Sequence, residues 1–286
     1  MATGRAPGLP RRPRRRRAGF VEKTLAGLGG AFERSLYSEE TAGRRGLLQA
    51  LDPRAKLIGL LLLIVAAVSS RSLPVILAVY GLAVALALAS RLSLRALAAR
   101  VWIGALLFTG AVALPALFLT PGREVWRLPL LGWPVTAQGL VAAAFLLSRV
   151  ITSATLATLL VLTTPPNAVL KALRVLRVPA VFVVILGMTY RYIFLLLQTA
   201  RDMFEARQSR EVGRLDSATG RRVAAAGVGV LLGKSYALSN DVFLAMQSRG
   251  FRGEIHTLDE FRMTARDWLA LAAFGAAAAL ALRLGR

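Results

Sequence analysis

The sequence predicts an all-α, polytopic membrane protein with five to six hydrophobic helices and one large polar helical block held on the cytoplasmic side. Three observations carry this. First, 56% of the 286 residues are hydrophobic and only 18% are charged, where soluble domains carry about 25% charge. Second, Leu57–Ser70, Ser72–Ser90, Val101–Gly122, Leu128–Ser148 and Val150–Leu170 contain no Asp, Glu, Lys, Arg or His. A spanning helix takes about 20 mostly apolar residues, and runs this continuous are unlike the alternation of a transmembrane barrel. Third, basic segments punctuate the apolar runs in a pattern that fixes alternate sides.

Residues 1–50 form a basic tail and an interfacial segment. Arg11 to Arg17 reads RRPRRRR, a tail suited to anionic lipid headgroups. Basic runs have low specificity, so no nucleic-acid partner is expected. The same arginine-rich start, without an early apolar core, does not look like a cleavable signal. Phe20–Gln49 carries Leu25, Leu28, Phe32 and Leu36 at helical spacing and reads as an amphipathic helix on the membrane surface.

Residues 51–164 hold the N-terminal spans. Asp52 before Pro53 is a helix start, an N-cap oxygen followed by a first-turn proline. Arg54 and Lys56 are expected at the interface, holding that end in the cytoplasm. A hairpin of two short helices turns near Arg71. Arg91, Arg95 and Arg100 form the next basic loop. Val101–Leu119 is the third span, Pro121–Pro134 an external loop and Thr136–Thr164 the fourth span. Arg149 falls within the fourth. An intramembrane arginine is a functional candidate by default, yet no acidic residue lies in an apolar run to pair with it. A transport role and a contact with backbone carbonyls or a partner subunit both stay open.

Residues 165–260 form the polar block. Pro165-Pro166 ends the fourth span, and Asn167–Val178 reads as an interfacial helix. Segment 179–200 is apolar, but both flanks are basic, so it is expected to dip into the bilayer or lie shallowly. It continues without a breaker into charged residues 201–214. Val223–Gly233 is too short to span, and a Ser235–Gln247 helix follows. Residues 261–286 supply a last alanine-rich span, Trp268–Leu282, which leaves the C-terminus outside.

Several chemistries are excluded. Gly229…Gly233-Lys234-Ser235 fails the phosphate-loop spacing, because Val228 stands where glycine is required. All 15 acidic residues fall in the tail, loops or polar block, so paired acid–base catalysis has no site. One histidine, His256, and no cysteine cannot build a borderline or soft metal cluster. Neither enzymatic activity nor a cofactor or resident metal is expected.

Two Ser-Arg elements remain, Ser209-Arg210 and Ser248-Arg249, each near the end of a helix-patterned stretch. Tyr192, Leu195, Leu196, Thr199, Met203 and Ala206 share one face of the first. Leu238, Val242, Ala245, Met246 and Arg249 share one face of the second. Such stripes suit a partner's groove, and a terminal arginine offers a forked donor. Ordinary surface arginines would look the same.

From Phe20 onward the chain resembles the transmembrane T component of energy-coupling factor (ECF) transporters, most closely the cobalt-type CbiQ branch. The likeness rests on Leu51-Asp-Pro-Arg-Ala-Lys-Leu57, Met188 with Arg191-Tyr-Ile and Leu195-Leu-Leu197, Ser209-Arg210, and Ala245-Met-Gln-Ser-Arg-Gly-Phe251. It implies a non-catalytic scaffold whose coupling helices bind two ABC-type ATPase subunits, beside a small membrane substrate-binding subunit that carries the ligands for cobalt or nickel. By position, Ser209-Arg210-Glu211 and Ser248-Arg249-Gly250 are the coupling motifs. Glu211 stands where the family commonly has glycine. The implied location is the cell (inner) membrane. A stand-alone membrane carrier or membrane enzyme is the alternative.

Overall fold

The computed structural model describes residues 27, 46–93, 97–98, 103–121, 123–127, 134–210, 217–252 and 263–285. The basic tail, nearly all of the surface helix at 20–49, Arg95, Arg100, Glu211 and His256 lie outside them. The chain forms two compact units. One comprises Met1–Arg34 and Thr189–Arg252, the other Ser35–Met188 and Gly253–Arg286.

The second unit is a helical bundle. Helix α1 (Pro53–Ser69) and helix α2 (Leu73–Ala89) form the expected hairpin about Arg71. Helix α3 covers Ile103–Leu119. The loop expected to be external contains two short antiparallel strands that the sequence did not suggest, β1 (Glu124–Arg127) and β2 (Pro134–Thr136). The Thr136 hydroxyl accepts from the Gly139 N–H and so starts helix α4 (Ala137–Thr163). Short helix α5 (Pro166–Ala172) runs into a 3-10 turn at Leu173–Leu176. The unit closes with helix α8 (Ala265–Leu284).

Helix α1 is the centre of this bundle and packs on α2, α4, α5 and α8. Leu60, Leu63, Ala66 and Ala67 of α1 meet Val79 and Ala83 of α2, Leu156 and Leu159 of α4, and Phe274 and Ala278 of α8 in one buried cluster. The small residues let helices approach closely, which is how apolar helices gain contact where lipid offers no hydrophobic drive. Gly59 makes room for the Phe274 ring: a Cβ there would lie 2.7 Å from Phe274 Cγ.

Two helices build the rest. Helix α6 (Ala180–Gln208) continues the chain into the first unit, and helix α7 (Ser217–Ser248) lies wholly within it. The two segments expected at 223–233 and 235–247 are one unbroken helix. Its glycines at 227, 229 and 233 do not interrupt it, since glycine inside a helix costs only about 1 kcal/mol. Met203 and Phe204 of α6 approach Gly227 of α7, and Ala200 and Val223 are buried one turn away on their helices.

By length and composition, α4, residues 180–207 of α6, and α8 are long and apolar enough to cross a membrane. The apolar part of α6 thus has the length for a full crossing, and the shallow course argued from its basic flanks is not imposed by its size. With α1, α2 and α3 the described residues hold six apolar helices, and the polytopic helical class stands.

Candidate functional site

The polar residues singled out in the sequence gather at three places. The first is the start of α1. The Asp52 carboxylate accepts from the Arg54 N–H at 2.8 Å, and Pro53 occupies the first turn, so the expected helix entry is present. Arg54 is half-buried there. Lys56, expected at the membrane interface, is only 2% exposed within the protein. Its Nζ donates to the Thr163 carbonyl at 3.1 Å. Thr163 is the last residue of α4, where carbonyls lack helical partners and the helix dipole is negative. The charges of Asp52 and Asp267 also act on the ammonium.

Asp267 was missed. It was counted among acids outside any apolar setting, but it sits in the first turn of α8 and is 4% exposed. One carboxylate oxygen accepts from the Asp52 N–H at 2.7 Å. The other accepts from the Thr264 N–H at 2.8 Å and hydroxyl at 2.7 Å. The signal was legible: Thr264-x-x-Asp267 before an apolar run is a capping box. Asp52, Lys56, Thr163 and Asp267 thus form one knot that joins the start of α1 to the end of α4 and the start of α8.

The second place is the other end of α1. Arg149 Nη2 donates to the Ser70 carbonyl at 2.6 Å, and the guanidinium lies 5.7 Å from the Phe145 ring centroid. Of the two readings left open, contact with a backbone carbonyl is the one the structure contains. Fourteen residues separate Lys56 from Ser70, and fourteen separate Arg149 from Thr163. Helices α1 and α4 are therefore antiparallel in constant register over about 21 Å. Arg149 is mid-helix in α4 yet level with the α1–α2 turn. The end of α8 closes the same turn: the Arg71 N–H donates to Gly285 and the Ser72 hydroxyl to Leu284.

The third place is the pair of helix ends in the first unit. Ser209 and Arg210 are exposed just past α6. The Ser209 hydroxyl donates to the Ala206 carbonyl. Glu211 lies outside the described residues. Ser248, Arg249 and Gly250 are exposed at the end of α7. Gly250 has φ +78°, its N–H donates to Gln247, and the Phe251 N–H donates to Met246. These bonds define a Schellman ending that leaves Arg249 at the outermost helical position. From the crossing at Gly227 and Met203, Arg249 lies 22 residues along α7 and Arg210 seven along α6. At 1.5 Å per residue these are about 33 and 10 Å, so the two arginines stand well apart. Of the apolar stripes, Leu195, Ala206 and Ala245 are exposed. Met203 instead touches Gly227.

Among the described residues no group of three metal-ligating side chains exists. Asp52, Lys56, Asp267 and Arg149 are engaged in helix-to-helix ties. This is a polytopic membrane protein whose polar side chains fasten helices together or stand at exposed helix ends. It belongs to the cobalt transport protein family CbiQ, whose model matches residues 45–258. That is a family of transport proteins, not of enzymes. An uncharacterised protein of Methanocaldococcus jannaschii is 34% identical over 241 residues, 82% of each chain. The cobalt transport protein CbiQ of Rhodobacter capsulatus is 31% identical over 154 residues, 53% of this chain and 63% of that one. The energy-coupling factor transporter transmembrane protein EcfT of Lacticaseibacillus paracasei is 28% identical over 184 residues, 59% of this chain and 67% of that one.

Proposed function

We propose that this chain is the transmembrane scaffold, the T component, of an ATP-driven ECF importer in the cell membrane, with cobalt or a similar transition-metal ion as cargo. Residues 51–164 and 261–286 are its membrane portion, and 165–260 its cytoplasmic coupling region. Two ABC-type ATPase subunits grip the ends of α6 and α7, at Ser209-Arg210-Glu211 and Ser248-Arg249-Gly250. A small membrane subunit binds the ion, and lipid surrounds the rest. Nucleotide binding and hydrolysis move the ATPases, and the two helices pass that motion to the bundle. Packed helices suit this because they shift between discrete arrangements.

The observation that carries the reading is the end of α7. A glycine in the left-handed region closes the helix and leaves Arg249 exposed at its tip. A guanidinium there can meet a carboxylate or two carbonyls of a docking partner in fork geometry. The family match and the similarity to EcfT support the same assignment.

The test is Arg249→Glu in cells that also express the ATPases and the membrane subunit. Losing a charged hydrogen bond and adding repulsion costs about 2–5 kcal/mol at a buried contact. ATPase co-purification and Co2+ uptake should both fall at least tenfold, with membrane insertion unchanged. Full uptake by this variant would remove the ATPase-docking role from α7.

A further inference from the structure

The polar knot at the start of α1 joins two points that are far apart in sequence and bracket one segment. Thr163, held by Lys56, is the last helical residue before the chain enters 165–260. Asp267, whose carboxylate accepts from the Asp52 N–H and from Thr264, marks where it returns to the membrane portion. Roughly a hundred residues leave and re-enter at a single turn of one helix. The tie is buried: Lys56, Thr163 and Asp267 are each under 5% exposed. A buried ammonium and a buried carboxylate are costly to separate from their partners. The joint therefore resists opening more than a solvent-exposed ion pair would.

We infer that Lys56 and Asp267 are positioning residues that hold both roots of the 165–260 segment on the first turn of α1. This rests on the proposed coupling function and adds the route by which motion reaches the bundle. A segment with both roots fixed to one point moves as a lever on α1. With one root loose, displacement is spent at the joint, between Thr163 and Pro166, and α1 stays where it was. Lys56 and Asp267 touch neither cargo nor nucleotide in this scheme.

The chain has no cysteine, so paired spin labels can be placed cleanly. Asn167 and Arg266 are exposed and flank the two roots. In the assembled complex, labels at 167 and 266 should give a narrow distance distribution in both nucleotide-free and ATP-bound states. Lys56→Met should broaden it, and Lys56→Arg should restore it. Across the same variants, Co2+ uptake and ATP hydrolysis are measured together. Lys56→Met should keep at least half the hydrolysis while uptake per ATP falls tenfold or more. Asp267→Asn repeats the test should Lys56→Met fail to assemble. A distribution as narrow in both variants as in the unmodified chain overturns the inference. So does uptake that falls only in step with the amount of assembled complex. If the unmodified chain captures no ATPase, the proposed function fails first, and the transmission role with it. The label distances would still report whether the roots are pinned.

Discussion

Replacing Arg149 by methionine decides whether this arginine is a buried liability or a fastening. Two terms oppose each other. An arginine at the centre of a bilayer costs about 2.5–3.5 kcal/mol on insertion scales, so removing it from mid-membrane would stabilise the protein by about that amount. A charge-assisted hydrogen bond contributes about 1.5–3 kcal/mol. A guanidinium over an aromatic ring adds about 0.5–1 kcal/mol where partly exposed. Arg149 makes both contacts, to the Ser70 carbonyl at 2.6 Å and to Phe145. Its position determines which term wins. The register of α1 and α4 places it level with the α1–α2 turn, where Arg71 and Ser72 are also found. The desolvation cost is small at that level, so the lost contacts dominate. Arg149→Met should therefore lower unfolding stability by about 2–4 kcal/mol, since the Ser70 carbonyl is also left without its partner. Arg149→Lys, with charge but no fork, should fall between. The assay is reversible unfolding in mixed micelles by titration with denaturing detergent. A midpoint that is unchanged or raised would show that Arg149 sits in the hydrocarbon and that the register argument is wrong.

Two further outcomes follow from close packing and backbone geometry. Gly59→Ala should destabilise the bundle by about 1–3 kcal/mol through overpacking against Phe274, and adding Phe274→Leu should recover most of the loss; a neutral single variant would contradict the close approach of α1 and α8. Gly250→Val should fray the end of α7, because the left-handed region costs an L-residue about 1–2 kcal/mol. Amide exchange at 250 and 251 should quicken while the global unfolding midpoint holds, and unaltered exchange there would argue against the Schellman ending.

The helices were legible because their signals are local. An Asp-Pro pair started α1, Ser-Arg-Ser-Leu-Pro marked the turn, and Pro165-Pro166 ended α4. What was not legible depended on partners distant in sequence. Lys56 lies four residues beyond Asp52 and looks like any interfacial lysine until Thr163, 107 residues away, supplies its acceptor. Arg149 looks mid-membrane along α4 alone, while the register with α1 sets it level with the α1–α2 turn. Val223–Gly233 is too short to span on its own, yet it is part of one long helix in which contact at Gly227 with Met203 and Phe204 makes a glycine a packing position. The two strands in the loop between α3 and α4 are too short, at four and three residues, to show an alternating pattern. At the coupling ends, Gly250 fits the glycine common in the family and makes a left-handed turn, while Glu211 lies outside the described residues.

Both ends of α1 are fastened, and by different means. At its start a lysine and two aspartates join it to α4 and α8. At its finish, the Ser70 and Arg71 backbone groups are taken up by Arg149 and by the end of α8. Between these ends the buried contacts are mostly alanines and leucines with Val79 and Phe274, and the buried Thr152 and Thr155 hydroxyls of α4 are satisfied within their own helix, by the Ser148 and Ile151 carbonyls. Apolar packing alone lets helices slide, because one small-residue register resembles the next. Polar ties at both ends remove that freedom, because sliding by one turn would leave a buried ammonium and a helix-end carbonyl without partners, at about 1–3 kcal/mol or more for each. Helices α1, α4 and α8 must then tilt or shift as one body. On the proposed function that is the property a scaffold between motors and a cargo subunit needs, since only a body that does not shear internally can pass a displacement across the membrane undiminished.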